Sequence, residues 1–252
     1  MFDHVLHALR KTRVGRVDFG QVDQANSAGN LFAGHFEGVT TIKQEFGSSL
    51  LGIGVMHDLD GEVISVHGTT WAVPADGTPR EVDADDTVAF GIAAHGGIRH
   101  SLYLPEGSTL DDIVTAIDAF ISTQHASPAD TVCALDITGS FRDVLLRTVH
   151  HPDYEGESLG KIFDDEIRFS FPAWRGTLVG FRYPDDTDGS TIPGLHLHGI
   201  DEARSSGGHV RNATVVSVTA HIWLDELGMT ADSSTHNEDE VVDFRKYEGP
   251  VN

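Results

Sequence analysis

The amino-acid sequence predicts an α+β protein with few helices and two groups of β-strands. Much of the chain consists of short stretches rich in β-branched and other apolar residues, separated by turn-forming Gly, Asp and Ser. The clearest amphipathic helix covers 109–122, and a polar stretch with Gly and Pro at 150–161 separates the two strand groups. We therefore expect a mixed sheet with helices over residues 1–160. An antiparallel sheet or barrel is expected over residues 161–252.

The first group of elements is defined by apolar patterns and turn residues. Ser108 or Thr109 can cap the helix, and Asp111 and Asp112 suit its positive first turn. Leu110, Ile113, Val114, Ile117 and Phe120 form its apolar face. Strands are predicted at 62–66, 69–73 and 87–94, and a hairpin at 131–137 and 141–149 around Gly139.

The second group reads as an antiparallel unit. Its predicted strands are 176–183, 195–200 and 209–224, and an acidic turn at 184–190 follows the first of them. An acidic, low-complexity stretch at 231–240 precedes the C-terminal residues. The chain is long enough for one large domain or two closely packed ones, at 252 residues with 39% hydrophobic content.

Composition excludes several classes of function. A formal net charge of −22 repels nucleic acid and anionic membranes, because phosphate binding needs basic patches. No run of about 18 apolar residues is present, and the first residues lack a basic region followed by an apolar core. We therefore expect a cytoplasmic protein that binds neither nucleic acid nor a membrane. The single cysteine, Cys133, lies in an apolar run and is expected to be a buried core residue.

Histidine spacing near the C-terminal end predicts a metal site. His196 and His198 are two residues apart in a predicted strand, so their side chains point to the same face. His209 follows Gly207 and Gly208, whose backbone freedom allows the chain to turn a third imidazole toward the first two. Three neutral nitrogen ligands leave open positions on the metal, which is typical of catalytic zinc.

Local sequence alone leaves two further residues with two interpretations each and assigns no function to a third. Glu62 follows the Asp-Gly turn of Leu59 to Gly61, which places it at the start of a strand, but by itself this pattern more often marks a surface hairpin. Arg147 lies between apolar neighbours near a strand end, where it either pairs with a structural carboxylate or binds an anionic ligand. Glu248 has the composition of a disordered tail residue.

Two family resemblances compete for these residues. The pattern His196-x-His198-x3-Glu202 resembles the metal motif of a cupin, in which Glu202 would ligate the metal. The chain more closely resembles the bacterial alpha-acetolactate decarboxylases over nearly its whole length. The matching segments are 32–38, 51–62 ending in Leu-Asp-Gly-Glu, 139–148, 175–181, the Pro-Gly-x-His-Leu-His of 193–198, and 204–210 with its Gly-Gly-His.

The second resemblance implies zinc-dependent decarboxylation of 2-acetolactate to acetoin by a homodimer. The residues that it implies as zinc ligands are His196, His198 and His209. It also implies Glu62 as an active-site acid, Arg147 as a substrate contact, and Glu248 as a residue that folds back toward the metal. Either Glu62 or Glu248 would then donate the proton to the product. Two positions depart from the family pattern, since Val55 replaces a hydroxyl-bearing residue and His150-His151-Pro152 replaces a polar run. Another metal-dependent lyase acting on a related hydroxy-keto acid is the alternative enzyme.

Overall fold

The computed structural model describes residues 19–184, 190–228 and 230–231, which form two mostly antiparallel sheets with few helices. The first sheet has eight strands: β1 (Gln21–Ala25), β2 (Thr40–Thr41), β3 (Leu51–Met56), β4 (Glu62–Val66), β5 (Thr69–Val73), β6 (Arg80–Glu81), β7 (Thr87–His95) and β13 (Thr230–Ala231). The second sheet has five strands: β8 (His100–Leu102), β9 (Cys133–Thr148), β10 (Ile167–Tyr183), β11 (Gly194–Asp201) and β12 (Gly207–Leu224).

Strand pairing differs between the two sheets. The first sheet has the order β13-β1-β7-β3-β4-β5-β6, with β2 on β7, and among its described strands only the β1–β13 pair is parallel. The second sheet has the order β11-β10-β9-β12-β8. Its strand β11 also pairs with β12, so that β9, β10, β11 and β12 form a closed ring. This closure brings the short β11–β12 pairing next to β9.

Within the described residues, the helices are short except for one. The helices are α1 (Ala28–Phe32), α2 (Ile42–Phe46), α3 (Leu110–Thr123) and α4 (Leu159–Ile162), with 3-10 turns at His57–Leu59 and Phe163–Asp165. Helix α3 begins after Thr109, whose side chain accepts a hydrogen bond from the backbone of Asp112 in a capping box, and it buries one apolar face, as predicted. No helix within the described residues is long and apolar enough to cross a membrane.

The predicted hairpin around Gly139 is wrong, because β9 runs unbroken from Cys133 to Thr148. Gly139 pairs with Gly176 on one side and with Val218 on the other. A Cβ atom at residue 139 would lie 2.2 Å from the carbonyl oxygen of Ser217. The glycine therefore permits close approach of neighbouring strands and does not form a turn.

The expected end of the first sheet near residue 160 is also wrong. Strands β8 and β9 both belong to the second sheet, so the chain changes sheets between His95 and His100. One buried apolar cluster includes residues of both sheets, among them Ile53, Phe90 and Phe181. The two sheets therefore share a core, and the functional residues lie where they meet.

Candidate metal centre and active-site cavity

Three histidines converge where β11 pairs with β12. His198 of β11 is the register partner of His209 of β12, and His196 lies two residues earlier on the same face of β11. Their possible ligand atoms all lie within 4.8 Å of one another. The Nε2 atoms of His196 and His198 are 3.2 Å apart. All three side chains are buried, and His196 and His198 share a face as the strand spacing predicts.

The protonation state of these rings suits metal ligation. Nδ1 of His198 lies 2.9 Å from the backbone oxygen of Val63, so the ring donates its Nδ1–H and keeps a lone pair on Nε2. Burial lowers the pKa of His198 to about 3, and the charge of Arg147 contributes. Burial is also the main reason why the pKa values of His196 and His209 lie well below their usual range. The three rings are therefore neutral at physiological pH.

A divalent cation fits this group of nitrogen atoms. Nδ1 of His196 is buried without a hydrogen-bond partner among the described residues, which is uncommon for a buried polar atom. Three imidazoles with open positions are a ligand set that zinc prefers. Within the described ranges, this is the one group of three or more His, Cys, Asp or Glu side chains that could hold a metal ion.

The first sheet contributes Glu62 to the same place. Glu62 is the first residue of β4, directly before the Val63 that accepts the hydrogen bond from His198. Its Oε2 lies 3.5 Å from Nε2 of His198. Burial and the charge of Glu166 raise the pKa of Glu62 to about 7, against the opposing effect of Arg147. The carboxyl group can therefore hold a proton near neutral pH and release it.

The turn before Glu62 has a strained backbone. Asp58 and Leu59 have φ angles of 52° and 57°, in the left-handed region that non-glycine residues rarely adopt. The N–H of Asp58 donates to the carbonyl of Phe36, and its own carbonyl lies 2.7 Å from Nδ1 of His151. This conformation directs Leu59 into the cavity wall immediately before Glu62.

Arg147 is a buried cation beside the histidines. It is the register partner of His209 across β9 and β12, and its side chain is 4% exposed. Its Nη1 lies 3.6 Å from Oε1 of Glu62, and its Nε lies 3.4 Å from Oε2 of Glu166. The ring of Phe163 lies below the guanidinium, with 4.0 Å between Cζ and the ring centroid. Glu62 and Arg147 are therefore active-site candidates and not surface residues.

These polar groups form one end of a cavity of about 450 Å³, measured with its open mouth. The rest of its wall is apolar and includes residues from α1, the first sheet, α4 and the loops next to the second sheet. The apolar lining residues are Leu31, Phe32, Val55, Leu59, Phe90, Val149, Leu159, Phe163 and Ile192. A cavity that is apolar except for a few converging polar groups is typical of a small-molecule site.

The remaining sequence candidates lie elsewhere. Glu202 is on the surface and pairs with Arg175, with 2.7 Å between Oε2 and Nε. Cys133 is fully buried, and burial raises the pKa of its thiol to about 12, so it is a core residue as expected. Glu248 lies outside the described residues.

Sequence analysis did not identify Phe163 and Glu166, although both contact Arg147. No motif marks Phe163. Glu166 is the last of three consecutive acidic residues, 164–166, and this pattern does not distinguish the buried carboxylate from its exposed neighbours.

The fold and the cavity together define the class of protein. A proton-holding carboxyl group, a guanidinium and three neutral imidazoles converge at one end of a largely apolar pocket, and such a constellation is found in enzymes. Its buried histidines could hold a metal ion.

Comparison with known proteins identifies the family. The chain belongs to the alpha-acetolactate decarboxylase family of carboxy-lyases, whose sequence profile matches residues 22–235. The alpha-acetolactate decarboxylase of Raoultella terrigena is 32% identical over 182 residues, which are 71% of this chain and 68% of that protein. The enzyme of Methylococcus capsulatus is 27% identical over 231 residues, covering 88% of this chain and 87% of that protein.

The fold agrees with this assignment. The crystal structure of alpha-acetolactate decarboxylase from Bacillus subtilis strain 168 superposes with a TM-score of 0.80 at 26% identity, covering 91% of this chain and 99% of that chain. The family predicted from the sequence motifs is confirmed.

Proposed function

We propose that this protein catalyses the zinc-dependent decarboxylation of 2-acetolactate to acetoin and carbon dioxide. One observation carries the proposal. In a chain of this family, three neutral buried histidines lie beside a buried Glu62 and a buried Arg147, all lining one cavity. The relatives named above carry the name of that activity.

The reaction needs a group that stabilises the electron pair left by the broken bond, and a donor that protonates the carbon atom. The bond between the carboxylate carbon and the neighbouring carbon breaks, carbon dioxide leaves, and the electron pair passes into the adjacent ketone. Zinc bound by His196, His198 and His209 would supply a Lewis acid that stabilises the developing negative charge. The pocket is buried, so this electrostatic stabilisation is stronger than it would be in water.

Arg147 binds and orients the substrate carboxylate. A guanidinium offers paired N–H donors that match the two carboxylate oxygens. Its position in β9 next to His209 brings the carboxylate beside the histidine triad. When the carboxylate is held in this way, the bond that breaks can lie perpendicular to the plane of the ketone, where its electrons overlap the carbonyl.

Glu62 supplies the proton. Its raised pKa, about 7, keeps the carboxyl group protonated in part of the molecules at neutral pH. Glu62 reaches the cavity from the first sheet and therefore lies on one side of a bound intermediate. The proton is added to that face, and a single enantiomer of acetoin results. Family resemblance adds Glu248 as a second carboxyl group of the site.

A cupin-type binding module is the alternative function. It would require Glu202 as a metal ligand, but that side chain is 69% exposed and is paired with Arg175. The position of Glu202 therefore supports the three-histidine arrangement.

The experiment is to incubate purified protein with 2-acetolactate and to measure zinc content, acetoin and its enantiomers. Changing His196, His198 or His209 singly to Ala is expected to remove most zinc and activity, whereas Glu202→Ala keeps both. Zinc retained at full stoichiometry in His209→Ala, or no acetoin from the zinc-loaded wild type, would overturn the proposal.

We also propose that the protein is cytoplasmic, as expected from its sequence, and that it is a homodimer, as the family resemblance implies. Light scattering on the purified protein tests the dimer, and a mass of one chain would contradict it. Fractionation of the source cells tests the compartment.

A further inference from the structure

Two arginines face each other across β9 and β10. Arg147 and Arg168 are register partners, so their side chains leave the same face of the sheet. Glu166 lies between them: its Oε1 accepts a hydrogen bond from Nε of Arg168 at 2.6 Å, and its Oε2 lies 3.4 Å from Nε of Arg147, an ion pair without hydrogen-bond geometry. The Glu166 side chain is only 5% exposed. One buried carboxylate therefore separates two cations that would otherwise repel each other.

A second carboxyl group competes for the same guanidinium. Glu62 lies 3.6 Å from Nη1 of Arg147, on the cavity side, whereas Glu166 approaches Nε. Glu166 is not among the residues that line the cavity, so it lies behind Arg147 as seen from the pocket. Without the contact at Nε, the nearest described carboxyl partner of Arg147 would be Glu62.

Phe163 restricts the guanidinium further. The ring centroid of Phe163 lies 4.0 Å from Cζ of Arg147, a distance suited to stacking of a planar cation on an aromatic face. Phe163 is itself packed edge-on against Phe32, with 5.7 Å between ring centroids. Phe163 and Glu166 belong to one short segment, the 3-10 turn Phe163–Asp165 and the residue that follows it.

We propose that Glu166 is a positioning residue, which holds Arg147 at Nε and leaves its other nitrogen atoms directed to a substrate carboxylate. This inference rests on the proposed function, because it assigns the substrate contact to Arg147. With Glu166 neutralised, Arg147 turns toward Glu62 and is lost to the substrate. Phe163 limits the guanidinium to rotation within its own plane, so the position of the Nε contact determines which N–H groups face the cavity.

The test is Glu166→Gln in zinc-loaded protein, since Gln preserves size and removes the charge. Two unreactive ligands with the carbon skeleton of the substrate are compared: a saturated 2,3-dihydroxy acid and the corresponding triol, in which an alcohol replaces the carboxylate. We expect affinity for the acid to fall by at least about tenfold, as for loss of one partner of a buried charge pair, and affinity for the triol to stay unchanged. Glu166→Asp should recover part of the loss.

The matched control is Glu202→Gln, which removes the carboxylate of an exposed pair with Arg175 and should change neither affinity. A merely structural role of Glu166 would weaken binding of acid and triol alike, and that result would overturn the proposal. So would unchanged affinity for the acid.

An NMR measurement separates this inference from the proposed function. The Nε–H signal of Arg147, identified by its loss in Arg147→Lys, should exchange slowly with water in the wild type and at least about tenfold faster in Glu166→Gln. Unchanged exchange would refute the positioning role even if the wild type releases acetoin. Faster exchange in a protein that forms no acetoin would uphold the positioning and reject the substrate assignment.

Discussion

Glu62→Gln tests the buried carboxyl group through stability, independently of catalysis. Glu62 is 6% exposed, and burial is the main reason why its pKa rises from 4.5 to about 7. Gln has nearly the same shape and does not titrate in this range. The comparison is made on metal-free protein, because a bound divalent cation would itself change the pKa of Glu62.

The direction in which the free energy of unfolding changes with pH follows from the number of protons that the folded and unfolded states bind. Below pH 4.5 both the folded and the unfolded states hold the proton, whereas between pH 4.5 and about 7 the folded state binds more protons than the unfolded state. The wild-type free energy of unfolding therefore falls as pH rises through this window, and the loss levels off above about 7. At about 1.4 kcal/mol per pH unit, the loss amounts to roughly 3 kcal/mol.

The assay is urea denaturation of both proteins at several pH values between 4.5 and 8. The buried histidines titrate in both proteins, so their contribution largely cancels in the difference. From pH 4.5 to 8, the free energy of unfolding of Glu62→Gln should increase relative to that of the wild type by roughly 3 kcal/mol. Parallel curves for the two proteins would refute the raised pKa. In zinc-loaded protein, the same change should lower acetoin formation by at least about a hundredfold, as for removal of a general acid.

Three other changes test the site more briefly. Arg147→Lys keeps the charge but loses the planar fork, so turnover should fall by at least about tenfold with zinc still bound, and unchanged turnover would contradict the substrate contact. Gly208→Ala should destabilise the protein by at least about 1–3 kcal/mol in urea denaturation, because residue 208 has φ +140° and a Cβ there would lie 2.5 Å from the Arg147 carbonyl oxygen. The control Gly107→Ala should destabilise the protein less, because a Cβ at residue 107 would have no atom within 4 Å beyond those of its chain neighbours. Glu248→Gln should slow turnover markedly without loss of zinc, and Glu240→Gln should not; equal rates would leave Glu248 an ordinary tail residue.

The histidine site could be predicted because its information is mostly local. A two-residue spacing within one strand determines that His196 and His198 share a face. The third ligand, His209, depends on pairing between strands, whereas the sequence suggests a turn at Gly207 and Gly208. In the structure both glycines already belong to β12, and a Cβ at residue 207 would lie 2.8 Å from Cγ2 of Val73. The glycines serve close packing.

Long-range contacts explain what local sequence left open. The surroundings of Glu62 allowed a surface hairpin, and those of Arg147 allowed a structural ion pair, so only family resemblance assigned them to the site. Their burial depends on packing of the first sheet against the ring of β9–β12, which no local pattern encodes. The position of Glu166 between two arginines depends on the register of β9 and β10, which places Arg168 opposite Arg147.

The central claim is that the three buried histidines hold a zinc ion on which decarboxylation depends. The most direct measurement is metal content and acetoin release on the same samples of native, chelator-treated and zinc-reloaded protein. We expect about one zinc per chain, loss of activity with the metal, and recovery in proportion to the zinc restored. Full activity in protein stripped of metal, or zinc reloaded to full stoichiometry without return of acetoin formation, would contradict the claim.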